Sequence, residues 1–124
     1  MMIADHSRFR LDVYISVEPD FDFLSADYRD LYTASNATAF QAPLWLHTIH
    51  ERLAPALKAR QYTVTMRNRA DNALLAVFPF VLQKAFGVTM VQPADFGVCD
   101  YNAVVATDAV LESLAANVEA LVDL

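Results

Sequence analysis

Leu74-Leu75-Ala76-Val77-Phe78-Pro79-Phe80-Val81-Leu82 is the stretch on which the fold turns. Every residue in it is apolar, so it cannot lie half in water as an alternating strand does. Such a run fits a strand covered on both faces or a fully buried helix segment. Proline inside a helix costs about 3 kcal/mol, and the flanking β-branched and aromatic residues favour extended backbone. A strand is the reading. Pro79 has no N–H to give to a ladder, so a bulge or an unpaired position is expected there.

On the amino-terminal side, Tyr62, Val64 and Met66 alternate with Thr63, Thr65 and Arg67, as in a strand, and Ala70-Asp71-Asn72 is a hairpin turn into the run. On the other side, Ala85-Phe86-Gly87 reads as the next turn and Val88 to Gln92 as the next strand. The run is thus the middle of an antiparallel meander. A loop over Pro93–Cys99 follows, then a short buried strand at Ala103-Val104-Val105. From Asp108 the pattern is helical, with Leu111, Leu114, Val118, Leu121 and Val122 on one face.

Further back, Leu11 to Glu18 alternates strictly, with Leu11, Val13, Ile15 and Val17 on one face and Asp12, Ser16 and Glu18 on the expected wet one. Ser25 caps a helix striped by Tyr28, Leu31 and Tyr32, with Asp27 in its first turn. Pro43 opens a second helix striped by Leu46, Ile49 and Leu53, which Ala54-Pro55 closes. The helices after Ser25 and Pro43 are expected on one face of the sheet, and the helix after Asp108 on the other. Residues 1–10 are mixed and polar, a flexible arm. Glu119 and Asp123 sit where the dipole of the last helix prefers cations, and no Gly or Asn follows it. A unit over 11–124, truncated at its carboxyl end, is the expectation.

Composition narrows the function more by exclusion than by assignment. A chain of 124 residues with 56% hydrophobic content is one domain with material for a real core. Formal net charge is −6, from 15 acidic and 9 basic residues, which argues against a nucleic-acid or anionic-membrane surface. No Lys, Arg or His occurs from Asp95 to Leu124. A single cysteine, Cys99, rules out an internal disulfide and makes a reducing, cytoplasmic setting the default. No signal-peptide core and no apolar stretch near the roughly 18–20 residues of a membrane span is present.

Few residues carry recognisable chemistry. His47-Thr48-Ile49-His50-Glu51 holds metal-ligand types, but its histidines are at i and i+3, where one helical face needs i and i+4 to reach one ion. A solvated helix face is the plainer reading, and no metal is expected. Cys99 lies beside Asp100 in acidic surroundings that would raise a thiol pKa, so it reads as a small structural residue and not as a nucleophile. Arg67 and Arg69 share one face of a strand end, where edge protection outweighs anion binding. Asn36-Ala37-Thr38 matches a glycosylation acceptor, which matters only in a secreted protein. With Gly87 and Gly97 alone, the chain has no glycine-rich phosphate loop.

Three segments carry a resemblance. Phe40-Gln41-Ala42-Pro43-Leu44-Trp45-Leu46, the proline-containing run Ala73–Leu82, and Gly97-Val98-Cys99-Asp100-Tyr101 are similar to segments of GNAT-superfamily acetyltransferases of the cellulose-biosynthesis CelD type, which are FemAB-related. Where the family usually has serine, this chain has Cys99. The resemblance spans Phe23 onward and covers the amino-terminal half of the family's pattern. It implies an α/β fold: a GNAT-like mixed, mostly antiparallel sheet in the order β-α-α-β-β-β-β-α, with helices on both faces. It also implies the non-cofactor-binding half of a bacterial CoA-dependent N-acyltransferase, acting on an amine of a sugar or exopolysaccharide precursor.

Gln92-Pro93-Ala94-Asp95-Phe96-Gly97 stands where a GNAT pyrophosphate turn would be basic and glycine-rich. Acetyl-CoA or another acyl-CoA is therefore expected on the complete enzyme and not on this chain, which alone would be inactive. By the same resemblance Gln41, Trp45, Asp95, Asp100 and Tyr101 would line an acceptor wall through hydrogen bonds and stacking. The partner would be a carboxyl-terminal GNAT-like half or a second copy. The rival expectation is a non-catalytic GNAT-like module that dimerises through an open sheet edge.

Overall fold

A computed structural model describes residues 12–94 and 104–122. The chain is mixed α/β with antiparallel sheets. Its elements in order are β1 (Val13–Glu18), α1 (Ala26–Ala34), a 3-10 turn (Ala39–Gln41), α2 (Pro43–Thr48), a π turn (Ile49–Leu53), α3 (Ala54–Ala56), β2 (Ala59–Gln61), β3 (Thr63–Asn68), β4 (Leu74–Phe78), β5 (Phe80–Ala85), β6 (Val88–Pro93), β7 (Val105–Ala106) and α4 (Asp108–Val122).

The apolar run is extended, as its composition requires, but it serves two sheets. β4 lies in a four-stranded sheet ordered β1-β3-β4-β7 and β5 in a three-stranded sheet ordered β2-β5-β6. The single meander expected from the turns is therefore divided, and the division falls at Pro79. Registers such as Val64 opposite Phe78 and Gln61 opposite Val81 run on across it without slipping. So β2–β3 and β4–β5 are one long hairpin parted at Tyr62 and Pro79. Ala94 N–H donates to Pro79 C=O at 2.9 Å, and proline has no N–H to return. The unpaired position expected at Pro79 is present. β6 ends its pairing there, and β7 resumes on the same side opposite Ala76 and Val77.

Both faces of the four-stranded sheet are covered, as expected. On one, Val77 and Val105 meet Phe21, Phe23, Tyr28, Leu31 and Leu46. The rings of Phe21, Phe23 and Tyr28 pack edge to face at 4.9–5.9 Å, a geometry that adds to simple burial. On the other, Met66, Ala76 and Ala106 lie under Val110 and Leu114 of α4. The three-stranded sheet has a smaller core of Ile49, Ala54, Ala59, Val81 and Ala94.

Local signals explain the helices. Ser25 Oγ accepts from Tyr28 N–H at 3.3 Å, so the expected cap of α1 forms. Pro43 occupies the first turn of α2. Ala54-Pro55 does not close that helix, contrary to the sequence reading. The chain passes through a π turn, with Ala54 N–H bonded to Ile49 C=O five residues back, and continues into α3. The wider turn lets the helical path run on past a proline that has no N–H.

β1 also departs from expectation. Ile15 is 65% exposed and Val17 43%, so the apolar face is the wet one. α4 packs on the middle of the sheet, at Met66 and Ala76, and these positions of the edge strand stay uncovered. The opposite face carries a polar layer instead. Ser16, Glu18, Thr65 and Arg67 are linked there, with Thr65 Oγ1 donating to the Glu18 carboxylate and Arg67 Nε donating to it at 3.0 Å. Arg67 also approaches Asp27 of α1, which ties the helix to the sheet by charge.

Both expected hairpin turns form. Asn72 takes a positive φ of 62°, and Phe86 and Gly87 take 54° and 80°. Two consecutive positive φ values are what a two-residue type I′ hairpin requires.

Candidate functional site

Where β1 stops, the edge of the long hairpin opens. Arg69 N–H bonds Asp12 C=O at 2.9 Å, and alternate residues of β3 down to Thr63, which stands opposite Glu18, face β1 in the same way. Gln61 and Ala59 continue that series, but Pro19 has turned β1 away and Phe21 N–H closes the turn on Glu18 C=O at 3.1 Å. Tyr62 faces inward, its N–H on Phe80 C=O at 2.8 Å. The outward backbone groups of Gln61 and Ala59 thus have no strand partner among the described residues.

A cleft of ≈ 540 Å³ occupies this gap, within the size range of small-molecule sites. Val17, Pro19 and Asp20 form one wall, and β2 with Tyr62 and Leu82 the floor. The π turn and α3 supply the other wall through His50, Glu51 and Pro55. π turns recur at functional sites because they re-aim side chains out of the α-helical series.

His50 is the unusual residue. Its ring stacks on Phe23 with centroids 5.2 Å apart and planes 12° from parallel. Both ring nitrogens are buried without a hydrogen-bond partner among the described residues. Burial, then the nearby His47, lowers its pKa to about 4, so the ring is neutral at ordinary pH. The expected solvated face over His47–Glu51 is therefore corrected at His50. No group of three or more metal-ligating side chains occurs among the described residues.

Of the residues singled out by resemblance, the two described ones, Gln41 and Trp45, are not gathered here. Gln41 is 2% exposed. Its Oε1 accepts from Thr38 N–H at 2.9 Å and from Thr38 Oγ1 at 2.7 Å, closing a capping box, while its carbonyl accepts from Tyr28 Oη at 2.5 Å. Trp45 is 38% exposed on α2, edge-on to Phe40 at 6.1 Å. Neither lines the cleft. Asp95, Asp100 and Tyr101, like Cys99 and the arm over 1–10, lie outside the described residues.

Arg67 and Arg69 are spent on Glu18 and Asp12. Because β3 is paired on both sides, by β1 and β4, the expected edge protection does not apply to Arg67, which instead ties two paired strands together. Asn36 Nδ2 donates to both carboxylate oxygens of Asp108 at 2.9 Å, joining the end of α1 to the start of α4.

Of the cleft residues, Asp20, Arg60 and Tyr62 carry no site expectation from the sequence, and His50 and Glu51 stand out there only as part of an off-pattern metal motif. One signal for them existed: Pro55 falls at a point where an unbroken α-helix would need its N–H.

No helix among the described residues is long and apolar enough to cross a membrane. Comparison with protein-family models, curated proteins and solved structures finds no match.

Proposed function

We propose that this chain is the acceptor-binding, non-cofactor-binding half of a bacterial CoA-dependent N-acyltransferase acting on an amine of a sugar or exopolysaccharide precursor. The observation that carries the reading is the cleft at the free edge of β2. Asp20 and Glu51 give it carboxylates for an ammonium group, Tyr62 an aromatic face for a sugar, and Ala59 and Gln61 outward backbone donors and acceptors. A strand, a helical segment and then antiparallel strands in that order, with helices on both faces of the main sheet, support it as well. Acyl-CoA belongs to the complementary half, because nothing in the chain supplies a glycine-rich turn for its pyrophosphate.

Two titrations test this. Glucosamine is expected to shift the amide resonances of Asp20, Glu51 and Tyr62. Calorimetry with acetyl-CoA is expected to show no micromolar binding; such binding sinks the assignment of the cofactor to another half.

The rival reading, a non-catalytic module that pairs through a sheet edge, is favoured by β6. That edge strand has no charged residue, and Val88, Met90 and Val91 are exposed on it. A strict monomer in sedimentation at high protein concentration removes this rival.

A further inference from the structure

On the open face of the three-stranded sheet, Lys58, Arg60 and Lys84 surround a depression of ≈ 150 Å³, with Leu82 and Thr89 completing its lining. The ladder makes this cluster. Arg60 stands opposite Leu82, and Lys84 opposite Thr89. One residue before the β2 ladder begins, Lys58 comes to the level of Lys84. Like charges facing each other across a strand pair are destabilising. Lys58 also holds a positive φ of 58°, a conformation that a β-carbon disfavours.

Arg29, Arg67 and Arg69 are ion-paired, whereas Lys58, Arg60 and Lys84 have no ion pair among the described residues. Three positive charges without an ion pair among the described residues thus gather around one hollow in a chain of net charge −6. No acidic side chain among the described residues lines that hollow, although Asp20 and Glu51 line the neighbouring cleft.

We infer that the depression formed by Lys58, Arg60, Lys84 and Thr89 binds the phosphoryl group of a small, soluble phosphorylated ligand. Arg supplies a planar fork for two phosphate oxygens, Lys a compact charge, and the Thr89 hydroxyl a further donor. The hollow holds one such group and little more. Arg60 and Leu82 also line the 540 Å³ cleft, so the rest of a ligand anchored here extends over them toward Asp20 and Glu51. A phosphorylated amino sugar has the right pair of ends. The phosphate site stands by itself; only this extension rests on the acceptor reading above. The net acidity of the chain disfavours an anionic lipid surface as the source of the phosphate.

The test is titration of the whole chain with inorganic phosphate, followed by amide resonances at ionic strength matched with sodium chloride. Saturable shifts at Lys58, Arg60, Lys84 and Thr89, weakened about fivefold or more by Lys84→Ala, are expected. Lys84 is exposed, so its removal leaves the fold intact, and an unchanged far-ultraviolet spectrum checks that. Shifts that sodium chloride reproduces, or that Lys84→Ala leaves unchanged, overturn the inference.

Glucosamine 6-phosphate separates the two readings. Shifts at Lys84 and Thr89 without shifts at Asp20 and Glu51 keep the phosphate site and remove its link to the cleft. Glucosamine shifts in the cleft with no phosphate response keep the acceptor reading and overturn the phosphate site. Co-sedimentation with phosphatidylcholine vesicles containing phosphatidic acid is expected to be negative; retention on them overturns the soluble-ligand assignment.

Discussion

The four-stranded and three-stranded sheets are built from the same long hairpin, yet one is sandwiched and the other is half bare. Across Tyr62 and Pro79 the register does not change; the covering does. Before the break, α1 and α2 lie on one face and α4 on the other. After it, the π turn and α3 cover one face through Ile49 and Ala54, and the other carries Lys58, Arg60 and Lys84. Stability is therefore concentrated in the first sheet, and the cleft and the basic hollow border the second. A thinly covered sheet has backbone and charge to spare for a ligand, which a sheet buried on both faces does not.

The largest expected effect separates the two sheets directly. Met66 is 1% exposed beneath α4, whereas Val91 of β6 is 51% exposed. Met66→Ala should cost about 2–5 kcal/mol through lost burial and the cavity left behind. Val91→Ala should stay within about 0.5 kcal/mol. Urea denaturation of both variants measures this. Comparable losses would mean that Val91 is covered in solution, which is what the dimer reading requires.

The sandwiched sheet was the more legible from sequence, for a physical reason. Apolar periodicity reports burial, and burial is what that sheet has. The capped helix at Ser25, the Pro43 start, and the two-sided cover over Val77 and Ala76 could all be read from it. β1 misled because Ile15 and Val17 alternate as core residues do but lie on an edge beyond the covering helix. The three-stranded sheet hid its features because they arise from pairing. Lys58, Arg60 and Lys84 are unremarkable until the hairpin register sets them side by side. His50 read as a surface residue because the wider turn before Pro55 leaves no mark in a 3.6-residue period. Gln41 stood out by resemblance, and its side-chain oxygen closes a capping box.

His50 gives the next effect, specific to the less covered half. Its pKa falls to about 4 in the folded protein, chiefly through burial, against about 6.5 in an unfolded chain. Between those values the unfolded state binds more protons, so stability declines as pH drops through this window and the decline ends below about pH 4. The full penalty is at most about 3 kcal/mol. His50→Leu removes it, along with two buried nitrogens that lack partners, so the variant should match or exceed the parent near neutral pH. Its advantage should widen when denaturation is repeated at about pH 4.5. An advantage that does not change with pH would mean that the imidazole is solvated in the folded protein.

The tip of the β5–β6 hairpin should yield a smaller gain. Phe86 is fully exposed at a positive φ of 54° and buries nothing. Asn tolerates that backbone and is favoured in type I′ turns, so Phe86→Asn should stabilise by about 0.5–1 kcal/mol. Thermal denaturation measures it. A loss instead of a gain would mean that the ring is in contact with something, and β6 would then be a covered edge.

The smallest effect on stability probes the break itself. Pro79→Val restores an N–H opposite Ala94, whose own N–H already reaches Pro79 C=O. The new hydrogen bond should add about 0.5–1.5 kcal/mol. Loss of the proline's restraint on the unfolded chain should take back about 0.4–1 kcal/mol. The two nearly cancel, so the net change should lie within about 1 kcal/mol. Amide exchange is the sharper readout. A protected amide at position 79 means that proline alone interrupts a ladder whose register is already continuous. If that amide exchanges freely, the departure of the chain after Ala94 sets the break, and Pro79 only accommodates it. In the first case the two sheets would merge while the basic face and the cleft kept their places. The chemistry of the second sheet would then depend on which helices cover it, and not on the proline that divides it from the first.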